Sequence, residues 1–235
     1  MAGEGIEKEE SVEKIRVDVE LVNESPQSYY NHKYRPVPGG CRIEREREAA
    51  CTVGAPATDS SGNSYLLSAA HCWEGEDAGE SEGYQPSSGR SSVIATRNSS
   101  KWKLDSSSGD EWDACALDVT GVNTSHQFAS NSGDNSYERG IAGVLSKEWI
   151  EDNDESDEIH KRGRTTGSSS GNITLTGDVT YRTDADSDDG DSGGPHYYIN
   201  RRGNALITGI HKSGSNTGAR ACYAELIENE FDVYI

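Results

Sequence analysis

The apolar residues of this chain come in short runs, and none grows into a stripe long enough for a core helix. From Cys41 onward the runs are ACTVGAPA (50–57), SYLLSAAHCW (64–73), DACALDV (113–119), GIAGVL (140–145), NITLTGDVTY (172–181), HYYI (196–199), NALITGIHKSG (204–214) and CYAELI (222–227). Linkers rich in Gly, Ser, Asn and Asp separate them. Many short strands with turn signals between them predict an all-β barrel or sandwich. Gly (26) and Ser together make up nearly a quarter of the 235 residues, with only 2 Phe and 1 Met, which argues against a helical bundle. No run approaches the 18 or so apolar residues of a membrane-spanning helix.

Charge narrows the partners. Asp and Glu number 41 against 22 Lys and Arg, a net charge of −19. Such a balance disfavours nucleic acid and anionic membranes. An acid-coated surface poor in Lys is the composition expected of a protein kept soluble in concentrated salt. Residues 1–40 differ from the rest: EKIRVDVELV (13–22) alternates like a half-exposed strand, and YRPVPGG (34–40) breaks the pattern. We read 1–40 as an N-terminal arm or prosegment remnant, followed by a domain over 41–235. The acidic linkers 74–92 and 151–158 read as surface loops. No signal-peptide-like segment occurs in the first thirty residues. Five Cys nonetheless fit an oxidising, extracellular setting better than a reducing one, and an odd count leaves at least one thiol unpaired. Cys115, inside an apolar run, reads as a small buried hydrophobe. No CxxC pair marks a metal site.

The chemistry concentrates in Gly190-Asp191-Ser192-Gly193-Gly194-Pro195. A tight turn of this kind offers a hydroxyl while neighbouring backbone N–H groups converge on one small space, where they can hold an oxyanion. A Ser hydroxyl is a weak nucleophile and needs a base. His71 ends a strand-like run and precedes Cys72; Cys51 begins the preceding run, so a hairpin would bring the two Cys together. The base in turn needs a buried carboxylate to orient it. Asp113 precedes the small-residue run Ala-Cys-Ala-Leu and is the candidate, with Asp118 at the far end as competitor.

These three blocks, Ser-Ala-Ala-His71-Cys72, Asp113-Ala-Cys-Ala-Leu and Gly-Asp-Ser192-Gly-Gly-Pro, resemble the trypsin-like (chymotrypsin-fold) serine peptidases in kind and order. The spacing of 51–72 and the turn Gly163-Arg-Thr-Thr-Gly167 are similar to the short microbial, streptogrisin-like branch. The resemblance covers roughly 41–235. It implies a double six-stranded antiparallel β-barrel, divided at about 125/126, with the active site between the barrels. It further implies His71 as general base, Asp113 as its orienter, Ser192 as nucleophile and the amides of Gly190 and Ser192 as oxyanion hole. Substrates would be proteins or peptides; no cofactor or metal is implied, and a monomer is expected.

The sequence also departs from that pattern. The branch carries a Cys shortly before Gly-Asp-Ser; here the stretch is Asp184-Ala-Asp-Ser-Asp-Asp189, leaving Cys222 without its expected partner. Lys161, with Arg162 as competitor, stands where the branch keeps a basic residue to hold Asp191. For the specificity pocket, Asp186 occupies the place of an acidic base that attracts Arg or Lys. Gly209-Ile210-His211 resembles instead the corresponding piece of glutamyl endopeptidases. His211 and Gly214 are the pocket-wall candidates, and primary specificity stays open. The alternative reading is a catalytically silent homologue acting as a binding module.

Overall fold

The computed structural model describes residues 28–45, 50–74, 82–87, 93–106, 109–152 and 157–235. The alternating segment 13–22 lies outside the described residues. In chain order the strands are β1 (Val37–Gly39), β2 (Arg42–Arg45), β3 (Ala50–Thr52), β4 (Pro56–Thr58), β5 (Ser64–Ser68), β6 (Glu82–Tyr84), β7 (Val93–Leu104) and β8 (Asp113–Val119). Then come β9 (Thr124–Ala129), β10 (Tyr137–Val144), β11 (Ile159–Gly163), β12 (Gly167–Gly171), β13 (Ile173–Thr176), β14 (Thr180–Thr183), β15 (Pro195–Ile199), β16 (Ala205–Ser215) and β17 (Gly218–Tyr223). Two short helices, α1 (Lys147–Asp152) and α2 (Ala224–Phe231), complete the described elements.

The strands form two sheets. One has seven strands in the order β3-β2-β6-β7-β8-β5-β4; the other has ten and takes β1 and β9–β17. The all-β class is as expected, and the chain passes between sheets at 40–41 and again at 120–123. The counts exceed six per sheet for local reasons. The run 50–57 is interrupted at 53–55 into β3 and β4, and residues before Cys41 add β1, which pairs in parallel with β9. Residues 28–40, read from the sequence as part of an arm, pack into this body: Tyr30, Tyr34 and Val37 are buried beside Cys41 and Ile43. Glu82–Tyr84, in a stretch expected as loop, forms β6 and pairs with β2 and β7. The last apolar run, 222–227, leaves β17 at Tyr223 and enters α2, whose Ile227 and Phe231 cover the core.

Strand β8 shows why small residues sit where they do. Its side chains alternate with the period-2 pleat. Cys115 and Leu117 enter the core with Ile43, Trp73 and Ile94. Ala114 and Ala116 face the other way, against Ile210, Cys222 and Phe231. Covered on both faces, the strand has room only for small side chains, and its first residue, Asp113, is carried into the interior.

Candidate active site

β5 and β8 run antiparallel with Ser68 opposite Cys115, so the end of one lies beside the start of the other. His71 occupies the 3₁₀ turn Ala70–Trp73 that follows β5. Its backbone N–H donates to Asp113 Oδ1 at 3.0 Å, and its Nδ1 lies 2.6 Å from Asp113 Oδ2. Asp113 is fully buried. A carboxylate accepting at Nδ1 holds the proton there and leaves Nε2 as an acceptor. Nε2 stands 3.0 Å from Ser192 Oγ. Asp118, the competitor, lies at the other end of β8 and accepts from Asn98 Nδ2 at 2.9 Å. The hairpin β4–β5, extended by Gly54 N–H to the Leu67 carbonyl at 2.7 Å, brings Cys51 and Cys72 together as a disulfide beside His71.

Ser192 comes from the other sheet, in the turn between β14 and β15. Gly190 (φ +96°) and Gly193 (φ +85°) adopt backbone conformations that a side chain disfavours. The turn is tied on both sides. The Gly193 N–H donates to the His211 carbonyl and the His211 N–H to the Gly194 carbonyl, each at 2.8 Å, while the Thr52 N–H donates to the Ser192 carbonyl at 2.8 Å. Two further bonds set the peptide planes. Thr165 Oγ1 donates to the Asp189 carbonyl at 2.6 Å, and the Gly194 N–H to the Asp191 carbonyl at 2.9 Å. In a trans peptide the N–H points away from the carbonyl. The Gly190 and Ser192 amides are therefore aimed opposite these anchors, and neither donates to a partner among the described residues. Thr165 belongs to the Gly-x-Thr-Thr-Gly turn singled out in the sequence, but its hold on the Asp189 carbonyl had no sequence signal.

Lys161 and Asp191 are both fully buried and meet at 2.6 Å. Asp191 also accepts from Thr166 Oγ1 at 2.6 Å and from the Thr165 and Thr166 N–H groups at 2.9 and 3.1 Å. Burial pushes its carboxyl up, but the Lys161 charge and these hydrogen bonds outweigh it and hold Asp191 below the ordinary carboxylate range. Arg162, the competitor, faces the opposite way, donating to the Ala129 carbonyl and pairing with Glu138.

A cleft of about 250 Å³ opens at Ser192, lined by His71, His211, Lys212 and Gly214 among others. Asp186 is not among its lining residues. Burial alternates along 181–187, so Ala185 and Ser187 turn inward and Asp186 is exposed. Ser187 Oγ lies 2.8 Å from His211 Nε2, and His211 Nδ1 lies 3.1 Å from Nε2 of His196, a residue missed in the sequence. Burial holds both imidazoles well below the ordinary value, so this Ser-His-His chain is neutral. Lys212, also missed, is buried, and its ammonium donates to the carbonyls of Ser106, Gly109 and Glu111 at 3.0, 3.4 and 2.7 Å. Its sole sequence signal was a basic residue inside an apolar run. Burial lowers its pKa, opposed by Cys222 and Asp113 nearby. Cys41, Cys115 and Cys222 are free and buried. Burial pushes the Cys41 and Cys222 thiols up to about 12, which leaves them inert at neutral pH.

The structure is similar to bacterial chymotrypsin-fold serine proteases. A glutamic-acid-specific serine protease described as using a histidine triad in substrate binding superposes with a TM-score of 0.62 at 22% identity, over 85% of this chain and 100% of that one. Nocardiopsis protease gives 0.61 at 19% identity, over 84% and 97%. Cellulomonas bogoriensis chymotrypsin gives 0.59 at 19%, over 85% and 97%. No protein-family model and no curated protein matches the chain. At these identities the likeness establishes the chymotrypsin fold.

Proposed function

We propose that this protein is a serine endopeptidase that cleaves proteins or peptides through an acyl-enzyme. The observation that carries the reading is the unbroken chain Asp113 Oδ2–His71 Nδ1 at 2.6 Å and His71 Nε2–Ser192 Oγ at 3.0 Å, next to two backbone donors that have no partner among the described residues. In this reading Ser192 Oγ attacks the scissile carbonyl and His71 Nε2 takes its proton. The oxyanion accepts from the Gly190 and Ser192 N–H groups, and His71 then protonates the leaving amine. Water completes the cycle through the same base. Asp113, buried and acceptor to His71 twice, fixes the tautomer and stabilises the imidazolium. The acyl residue's side chain enters the cleft beside His211 and Gly214, and Lys161 fixes the turn through Asp191.

We further propose an extracellular, salt-adapted, monomeric enzyme, on the disulfide beside His71 and the net charge of −19. A fluorophosphonate probe tests the central claim. Ser192 should label stoichiometrically at neutral pH, and Ser192→Ala should lose labelling and at least about 10⁴-fold of turnover with its fold retained. Normal turnover in that variant would overturn the assignment.

A further inference from the structure

A second cavity, of about 370 Å³, adjoins the cleft, and Ser213 and Gly214 line both. Its remaining lining is Gly109, Ser215 and Gly218 with two arginines. Arg182 on β14 and Arg220 on β17 both line it, and they stand directly opposite one another in the antiparallel ladder. Like charges at opposed cross-strand positions cost stability. In a chain with 41 Asp and Glu, a carboxylate neighbour would be an easy remedy. Neither guanidinium has one among the described residues. Buried Lys212 lines the adjoining cleft, not this cavity. Two arginines are thus held in a repulsive arrangement, facing a cavity that shares Ser213 and Gly214 with the nucleophile's cleft, on a molecule whose overall field repels anions.

Resting on the peptidase reading, we propose that this cavity is a substrate subsite for an acidic side chain, Asp or Glu, two to four residues before the scissile bond. The acyl residue lies in the cleft against Gly214, and the residues after the scissile bond depart with the amine. The upstream segment is therefore the part of the substrate that continues along β16. From Ser213 to Ser215 the strand advances two residues, about 7 Å at roughly 3.3 Å per residue. An extended peptide alongside advances by the same count and reaches the arginines. A guanidinium matches a carboxylate in two parallel hydrogen bonds, which gives position as well as attraction.

A peptide library varied over four positions on each side of the cleavage site tests this. Asp or Glu at one upstream position should raise kcat/KM about fivefold over Gln or Asn, the scale of one or two partly exposed ion pairs. The downstream positions should show no such gain. Arg182→Gln with Arg220→Gln should erase that ratio, and Arg182→Glu with Arg220→Glu should turn it in favour of Lys. Arg202→Gln, an exposed arginine in the turn between β15 and β16, should keep it. The preference should persist in 1 M KCl, where long-range steering is screened to about 3 Å and a contact pair is not. A flat upstream profile, or a preference unmoved by the arginine variants, would overturn the proposal while leaving the peptidase reading intact. Fluorescence anisotropy of the same peptides on Ser192→Ala protein reads the subsite without turnover. If no peptide is cleaved at all, the peptidase reading fails, and equal binding of acidic and neutral peptides there sinks the subsite as well.

Discussion

The base and the nucleophile of the proposed triad come from different sheets, and each is fixed by a different kind of force. On the seven-stranded sheet, His71 follows a hairpin closed by the Cys51–Cys72 disulfide, and Asp113 grips it through two hydrogen bonds. On the ten-stranded sheet, the Ser192 turn has no disulfide. The buried ion pair of Asp191 with Lys161 and a set of hydrogen bonds from the 163–167 turn hold it instead. A disulfide acts mainly by restricting the unfolded chain, so it is indifferent to pH and sensitive to reductant. A buried ion pair acts in the folded state and has the opposite sensitivities. One site is thus assembled from two halves that should fail under different conditions.

The largest expected effect tests whether the two halves meet as described. Asp113→Asn should lower kcat by about 10⁴, near 5.5 kcal/mol, because an amide would hold the wrong His71 tautomer. Asp118→Asn should leave kcat within a few-fold, since Asp118 lies at the far end of β8 from His71 and accepts from Asn98. If the second variant is the inactive one, the carboxylate is misassigned.

Next in size is the ion pair. Lys161→Met strands a buried carboxylate and should cost about 3–5 kcal/mol, read as a lower urea midpoint. The pH dependence has a definite sign. Asp191 is held below its ordinary value of 3.8, so its contribution is fully present above about pH 4 and lost as pH falls through the lower folded value. In Lys161→Met burial raises the folded value of Asp191, so this acid limb of stability loss should shrink or reverse, and the variant's deficit against the native protein should fade as pH falls. An unchanged limb would mean that other carboxylates set acid stability.

The disulfide comes third. Cys51→Ala with Cys72→Ala closes no loop in the unfolded chain and should cost about 3 kcal/mol, with no change in the acid limb. Reduction of the native protein should reproduce this loss. If the loss instead varied with pH between 4 and 7, the separation drawn between the two halves would fail.

The sequence was most informative where one residue type has one use. The Ser192 turn, His71, Asp113, the Cys51–Cys72 bridge and Lys161 were all legible, because glycine geometry, a strand end beside a Cys and a basic residue near the turn each constrain strongly. Asp186 was not. Among the acids of 184–189, spacing to Ser192 cannot say which carboxylate faces the cleft, and the alternation of burial that runs on past β14 leaves Asp186 exposed. His196 and Lys212 were missed for another reason: their roles depend on cross-strand neighbours, His211 for one and the carbonyls of the 106–111 segment for the other. Residues 28–34 have the polar, aperiodic composition of an arm, and the burial of Tyr30 and Tyr34 depends on distant strands that no local pattern announces.

The smallest effect per residue is the surface charge, and it bears on both halves alike. Carboxylates on an exposed face repel one another by tenths of a kcal/mol each, and that repulsion reaches about 10 Å at 0.1 M salt but about 3 Å at 1 M. A sum over many of the 41 acids still amounts to about 2 kcal/mol or more. Converted at about 2–4 °C per kcal/mol for a chain of this size, the melting temperature should rise by at least about 4 °C between 0.1 and 2 M KCl. Activity should rise with it, because both sheets must be folded for the triad to close. Buried Lys161 and Asp191 are hardly screened, so Lys161→Met should shift the whole salt curve down without changing its slope. Replacing Asp152, Asp154 and Glu155 with Asn or Gln should do the reverse, flattening the slope and leaving high-salt activity unchanged. A melting temperature equal at 0.1 and 2 M KCl would refute salt adaptation, and the triad would stand, since it rests on different residues.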